Sequence, residues 1–224
     1  MDARLLPLFP LPVVLFRGTA RPLHIFEPRY RRLLADCLDG DRRFGLLFCV
    51  DTTDERALPP GQVGCVARIE SADALPDGRS NIIIAGEERF ALVQFVESQT
   101  PYHVGAVRDH TDILEPDAEL DAHAARVRAA FERLVRAASA MSGQRAPIPP
   151  LPRDPAHVAY HVASVLDAPL ATRYELLRSR SALARLQLAA LMLEQAVPSA
   201  ERRAAQHRRA RSNGNGHHTP GPAS

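Results

Sequence analysis

The chain has 224 residues, 46% hydrophobic and 24% charged, which is enough length and apolar content to bury a sizeable core. All 28 basic side chains are arginines, and the missing lysines exclude both a nucleotide-binding P-loop and a Ser–Lys hydrolytic dyad. No apolar run approaches the roughly 20 residues that cross a bilayer, so we expect no membrane contact.

The amino-terminal stretch is apolar but interrupted. Residues 5–8 and 12–16 are bounded by prolines, and Gly18 marks a turn behind them. Since no small-residue cleavage site follows, we do not interpret this stretch as a signal peptide and expect a cytoplasmic protein.

A helix is predicted to begin at Pro28, because proline suits the first helical position. Gly40 is predicted to end it in a left-handed conformation. The apolar residues between them follow helical spacing and form one stripe: Tyr30, Leu33, Leu34, Cys37 and Leu38.

The next seventy residues have strand character, with Asp77-Gly78 as a turn between two apolar runs. Several short strands with frequent turns predict a small barrel or sandwich rather than a parallel sheet. The predicted strands lie at 44–50, 62–70, 81–86, 89–98 and 102–110.

From about residue 117 the apolar period becomes helical. A stripe from Leu120 to Ala138 predicts a long helix, and a second stripe begins at Val158 after a proline-rich connector. A short helix is expected near 171–178, and a longer one from about 180 should be central to the helical part. This order, strands first and helices after them, predicts an α+β protein with a β-barrel subdomain at 1–112 and a helical subdomain at 117–197.

The last segment, 198–224, is predicted to be an Arg-rich and largely disordered tail. In residues 201–224, five arginines against Glu201 give a charge of +4, and the total of +2 leaves −2 for residues 1–200. A protein that binds nucleic acid through its folded surface usually carries a net positive charge on the folded part. We therefore expect nucleic acid to bind at most nonspecifically, through the tail. The Arg-rich residues 201–211 could equally be a frayed, solvated extension of the last helix.

The stretch LPLFPLPVVLFRGTARPLHIFEPRYRRLL, above all PLHIFEPRY at 22–30, resembles the start of the amino-terminal domain of Lon proteases. Residues 64–90 and 101–107 are also similar to that family in order and spacing. The later helices match more loosely, mainly at Leu176, Leu177, Arg185 and Leu186, so the resemblance covers about 5–196. Arg17 departs from it, because the family usually has proline there.

This resemblance implies a PUA-like β barrel followed by a helical bundle. It also implies a substrate-recognition domain, which in full Lon proteases precedes ATPase and protease modules. The chain ends where those modules would begin, so we expect a non-enzymatic module with no cofactor.

The densest polar and aromatic cluster is His24, Phe26, Glu27, Arg29 and Tyr30, at the predicted junction between the barrel and the first helix. This cluster could line a groove for a peptide. It could equally fix a difficult backbone passage between two prolines. The candidate peptide-binding residues are His24, Phe26, Glu27, Arg29, Tyr30, Arg89 and Phe90.

Other constellations favour structural interpretations. His157 and His161 have a metal-chelating spacing, but the glutamate of the zincin pattern is absent and no third ligand is evident. Asp109-His110 and Glu87-Glu88 suit surface turns better than acid–base pairs. The three isolated cysteines, Cys37, Cys49 and Cys65, indicate buried small side chains rather than disulfides or zinc ligands.

The leading hypothesis is a module that holds extended or unfolded protein segments, in a groove between barrel and bundle or along an exposed sheet edge. One alternative is an RNA-associated module with an arginine patch on the barrel, formed by Arg68, Arg79, Arg89 and Arg108. Another is an adaptor or regulator of a separate AAA+ protease, and self-association is also compatible with the sequence.

Overall fold

The structure is a computed structural model that describes residues 3–50, 54–142 and 150–214. Six strands form one mixed sheet. They are β1 (Arg4–Leu11), β2 (Ala20–Ile25), β3 (Arg43–Phe48), β4 (Val63–Ala74), β5 (Ser80–Val96) and β6 (His103–Asp109).

Five of these strands close into a ring. The order of neighbours is β2-β5-β4-β3-β1-β6, and β5 also pairs with β6. β1 and β3 are parallel, and the other pairs are antiparallel. The closed pairing, together with the helices that follow, confirms the predicted α+β fold with a ring of hydrogen-bonded strands. Within the described chain, β2 pairs with β5 alone and is therefore an edge strand.

β5 replaces the two strands predicted at 81–86 and 89–98. Its first half pairs with β2 and β4, and its second half pairs with β6. Register shifts lie between Cys65 and Ala67 on β4 and between Leu92 and Gln94 on β5. Such irregularities bend a strand, so one long strand can serve both sides of the ring.

The interior of the ring is filled by one or two apolar side chains from each of its strands. Phe90 is fully buried there, and glycines on the neighbouring strands make room for its ring. A Cβ added at Gly64 would lie 2.4 Å from Phe90 Cζ, and one at Gly45 would lie 2.7 Å from the same atom. Phe90 is therefore a core residue, and its side chain does not reach a surface that a peptide could contact.

Five α-helices accompany the sheet in the described residues, namely α1 (Pro28–Asp39), α2 (Asp117–Ser142), α3 (Pro155–Val165), α4 (Leu170–Arg178) and α5 (Ala182–Gly214). The stripe predicted for α1 is confirmed, because four of its five members are buried. The predicted left-handed Gly40 is wrong. Its φ is −107°, and Arg42 takes the positive φ of 63° instead. The N–H of Arg42 donates to Cys37 O at 2.9 Å and so helps to end the helix.

The main hydrophobic core runs from the outer face of the ring into the helices without a break. α5 is central to the helical part, as predicted, because its Leu186, Ala189 and Leu193 are fully buried and it packs against α2 and α3. The division into subdomains at 1–112 and 117–197 stays a prediction. Among the described residues, no helix combines the length and apolar character that a membrane span requires.

α5 does not end near 197. It continues to Gly214 with Pro198 inside it. A proline inside a helix costs about 3 kcal/mol. Beyond Pro198 the helix contacts α2, since Ala204 is buried and Arg133 donates to Glu201 at 3.0 and 3.1 Å. The helix thus extends into the segment predicted as a tail, while residues 215–224 lie outside the described part.

Candidate functional site

The predicted site residues do not form one cluster. Glu27, Arg29 and Tyr30 lie at the start of α1. Arg29 and Tyr30 bond to Glu55, whose side chain is only 3% exposed, and Glu27 accepts from Arg29 at 3.0 Å. Arg29 donates to both Glu55 oxygens at 2.8 Å, and the Tyr30 hydroxyl donates to Oε1 at 3.1 Å. His103 Nε2 lies 2.9 Å from Oε2. This network ties α1 to the turn after β3 and to β6, so it is a structural junction.

His24 and Phe26 lie together at the end of the edge strand. Phe26 is 58% exposed, and its ring is stacked 6.1 Å from that of His24. Pro22 interrupts the free edge of β2, because proline has no N–H for a further strand. The side chains of His24 and Phe26 are therefore accessible to a ligand, but the free edge of β2 lacks a donor at Pro22 for pairing with a further strand.

Arg89 is buried where the ring meets the helices. It donates to the carbonyl oxygens of Leu177 and Ser179 at 2.6 and 2.5 Å, and also to Asp112. Asp112 accepts two further bonds from Arg185, at 2.7 and 2.6 Å. We call Arg89, Asp112 and Arg185 the arginine cluster.

The arginine cluster shifts the titration of its carboxylate. Burial alone would raise the pKa of Asp112, but the hydrogen bonds and charge of Arg185, and then the charge of Arg89, outweigh it. The pKa of Asp112 therefore lies below its ordinary value. Arg89 thus has its donors engaged by groups of the fold itself.

A cleft of about 770 Å³ separates the ring from α3, at the position where the sequence predicts a groove. We call it the junction cleft. It is lined by Arg17, Gly18, Arg43, Gly86, Glu87, Glu88, Pro150, Leu151, Pro152, His157 and His161.

Backbone forms the floor of the junction cleft. The Gly18 N–H donates to Gly86 O at 2.8 Å, and the Gly86 N–H donates to Thr19 O at 2.9 Å. A Cβ at Gly86 would lie 2.1 Å from Phe16 O, so only glycine permits this approach. A Cβ at Gly18 would lie 3.0 Å from the His161 ring, so the glycine there keeps that side of the cleft open.

The carboxylates of the cleft are already paired. Glu87 accepts from Arg43 at 2.6 Å and from Arg68 at 2.9 Å, and Glu88 accepts from Arg4 at 2.7 Å. In the described ranges, Arg17 makes no ion pair. The charges of the lining balance, two arginines against two glutamates, and Arg17 is the one left without an ionic partner in the described ranges.

His157 and His161 line the cleft one helical turn apart on α3. His157 Nδ1 lies 3.1 Å from Asp154 Oδ2, and His161 Nδ1 lies 3.3 Å from His157 O. Burial lowers the pKa of His157. No group of three metal-ligating side chains exists within residues 3–50, 54–142 and 150–214.

Continuous with the cleft is a more enclosed space of about 330 Å³, which we call the inner pocket. It shares Arg17, Glu88 and His157 with the cleft. Its remaining walls are Arg4, Arg89, Asp109, His110, Thr111, Asp112 and Tyr160. The Asp109-His110 pair thus lies in this wall, where the His110 ring is bonded to Arg178 O at 2.8 Å.

The chain is similar to known proteins over most of its length. The family model described as the ATP-dependent protease La (LON) substrate-binding domain matches residues 5–195. Lon protease 1 of Herpetosiphon aurantiacus is 30% identical over 179 residues, which are 73% of this chain and 20% of that protein. The chain thus spans about a fifth of the length of this relative.

Two solved structures share the fold. The first is a Lon N-terminal domain protein from Xanthomonas campestris, with a TM-score of 0.57 and 26% identity, over 82% of this chain and 95% of that one. The second is the N-terminal domain of the Mycobacterium avium complex Lon protease, with a TM-score of 0.62 over 85% of this chain and 98% of that one. At 12% identity, the second likeness concerns the fold alone.

Proposed function

Because this chain belongs to the LON substrate-binding domain family, we propose that it is a non-enzymatic module that holds extended segments of other proteins in the junction cleft. The observation that carries the proposal is the cleft itself. Its size is that of a typical ligand site, its floor is backbone at Gly18 and Gly86, and its carboxylates are internally neutralised.

The cleft supports the proposal better than the sheet edge does. A peptide that extends the sheet needs unpaired N–H and C=O groups along β2, and Pro22 removes one of the donors. His24 and Phe26 remain candidate contacts beyond that proline. Tyr30, Arg89 and Phe90 are buried and would act by positioning the backbone.

The charge arrangement favours a protein partner over RNA. Of the four arginines that an RNA-binding barrel would present, Arg68 pairs with Glu87 and Glu70, and Arg79 pairs with Asp77. Arg89 is buried, which leaves Arg108 exposed. A partner read by phosphate contacts would need these cations to be free.

Suppression of aggregation tests the proposal. We expect the protein, at micromolar concentration, to slow light scattering by a chemically unfolded client. Leu151→Asp, which puts a carboxylate on the apolar wall of the cleft, should abolish the effect. Phe26→Asp, at the edge strand, should leave most of it.

Two results would count against the proposal. If the unmodified protein neither slows aggregation nor retains any peptide, it does not hold extended segments. If Phe26→Asp abolishes protection and Leu151→Asp does not, the segment lies on the sheet edge instead. Circular dichroism and thermal unfolding of both variants separate these outcomes from misfolding.

A role as adaptor for a separate AAA+ protease is the alternative, supported by the Lon proteases among the relatives. Affinity capture from cell lysate would distinguish it, because an adaptor co-purifies with one ATPase at fixed stoichiometry whereas a client binder retains many proteins.

A further inference from the structure

The distal halves of α2 and α5 carry most of the positive charge of the protein. They lie side by side, because Arg133 donates to Glu201 at 3.0 Å and Ala204 is buried. We call residues 126–141 and 194–209 the cationic helix pair. It has eight arginines against three glutamates, a net charge of +5, so the total of +2 leaves −3 for the rest of the chain.

Several of these cations lack an ionic partner. Arg203 and Arg208 are exposed and make no ion pair in the described part of the chain. Arg202 is also exposed, and it donates to the uncharged Ser199 hydroxyl at 3.2 Å. The helix pair differs in this respect from the barrel, where most exposed arginines are paired with carboxylates.

A shallow groove of about 370 Å³ runs between the two helices. Arg208 of α5 lines it together with Arg133 and Arg136 of α2, and Glu201 is the carboxylate of this lining. Arg136 also pairs with Glu132 at 3.0 Å, so three guanidinium groups meet two carboxylates. Both ion pairs are largely exposed, and such pairs contribute little, so they leave the arginines able to bind another anion.

The arginines of α5 point to three sides of that helix. At about 100° per residue, Arg202 and Arg209 lie in one row, opposite Ala204, which faces α2 in the groove. Arg203 lies on one flank of this row and Arg208 on the other, each about 100° to 120° away. Every side of α5 that does not face α2 therefore carries a cation.

The surface of the helix pair suits a phosphate backbone better than another protein. None of its large apolar side chains is exposed among the described residues, whereas the centre of a protein–protein interface is apolar and poor in charge. Guanidinium groups bind phosphates with two parallel hydrogen bonds.

The same surface favours double-stranded DNA among nucleic acids. The phenyl ring of Phe131 is buried, so the pair offers no such ring on which the bases of a single strand could stack. A helix with cations on both flanks fits the major groove of B-form DNA, which is about 12 Å wide. The major groove of double-stranded RNA is too narrow for a helix.

We propose that the cationic helix pair binds the phosphate backbone of double-stranded DNA without reading its sequence, with Arg203 and Arg208 as contacts. The helix pair shares no lining residue with the junction cleft. The inference therefore goes beyond the proposed function and does not depend on it.

Fluorescence anisotropy of a labelled DNA duplex tests the inference with the full chain. We expect binding with a Kd of about 1–10 µM at about 50 mM salt, equal for two duplexes of unrelated sequence. The logarithm of the affinity should fall with the logarithm of the salt concentration, with a slope of about −4. About four phosphate contacts would give this slope, because each contributes about −0.9.

A double variant locates the contacts. Arg203→Ala combined with Arg208→Ala should reduce the salt slope by about 2 and weaken binding about tenfold. The midpoint of thermal unfolding should not fall, since neither exposed side chain makes an ion pair within the described ranges. The matched control is Arg79→Ala combined with Arg108→Ala, which removes the same charge from exposed positions on the barrel.

Three outcomes would overturn the inference. The first is no binding of the duplex at low salt. The second is an equal loss of affinity in the control variant, which would assign binding to the barrel or to total charge. The third is displacement of the labelled duplex by polyglutamate, single-stranded DNA or double-stranded RNA at lower concentration than by unlabelled duplex DNA, which would identify a different partner.

Discussion

Asp112→Ala is expected to lower the midpoint of thermal unfolding by about 10 °C. The change leaves Arg89 and Arg185 buried with no carboxylate between them. Removing one partner of a buried ion pair costs about 3 to 5 kcal/mol, and we expect the lower end because the Asp112 side chain is 30% exposed. For a chain of this size, 1 kcal/mol corresponds to about 2–4 °C.

Arg185→Met is the matched control for this prediction. It removes one of the two guanidinium groups while Arg89 still neutralises Asp112, and methionine fills much of the same volume. We expect a smaller loss of stability than for Asp112→Ala, measured by urea unfolding. Equal losses would show that the charge balance of the arginine cluster is not the source of the effect.

The loss of stability caused by Asp112→Ala should depend on pH, and the pKa of Asp112 gives the direction of that dependence. The pKa of Asp112 is lowered in the folded protein, so its contribution is complete above the unfolded pKa of about 3.9. The contribution is lost as the pH falls through the folded pKa. The difference in unfolding free energy between the unmodified protein and Asp112→Ala should therefore shrink below about pH 4, and a constant difference would contradict this assignment.

The spacing of apolar residues predicted a helix or strand well where one face of that element is buried against a single surface. The stripe of α1 is an example, because burial against a single surface imposes the helical period on the sequence. The continuity of β5 could not be read this way. Its middle residues Glu87 to Arg89 are polar and look like a break. Glu87 and Glu88 fall in the register shift between the pairs Cys65–Arg89 and Ala67–Gly86, and the side chains of Glu87 and Arg89 bond to Arg43 and to a carbonyl oxygen.

The sequence left open whether the residues after 197 extend the last helix, and the structure continues α5 to Gly214. Pro198 is a strong local signal to stop a helix, and the sequence alone does not show that α2 would support the next turns. Burial of Ala204 and the Arg133–Glu201 pair are contacts between distant segments. A tertiary contact overrides the local preference here.

The sequence predicted that a groove would lie between the barrel and the helices, but it did not predict which residues line that groove. Asp112 and Glu55 organise the two polar junctions. Asp112 lies in the connection after β6 and Glu55 begins a short 3-10 helix, and no motif marks either residue. Their partners lie far along the chain, 73 residues away for Arg185 and 26 for Arg29. The sequence did give one indication of these carboxylates. It has arginines within the stretches that resemble the Lon family, and a buried arginine requires a carboxylate partner.

The junction around Glu55 gives the second large effect. Glu55→Ala should lower the unfolding free energy by about 2 kcal/mol, because the Tyr30 hydroxyl and the guanidinium of Arg29 lose their acceptor inside the fold. The estimate stays below that for Asp112, since the Arg29 side chain is 31% exposed and water can replace part of the lost interaction.

Two further variants decide whether charge or shape carries the effect of Glu55. Glu55→Gln keeps an acceptor for Tyr30 but removes the charge that holds Arg29, so it should lie between the unmodified protein and Glu55→Ala in urea unfolding. Glu97→Ala is the control, because that carboxylate also pairs with an arginine but is 90% exposed, and it should leave stability unchanged. If Glu55→Ala behaves like Glu97→Ala, the turn at Glu55–Ala57 does not fasten α1 to the ring, and the geometry of that junction would have to come from the apolar contacts of Tyr30 alone.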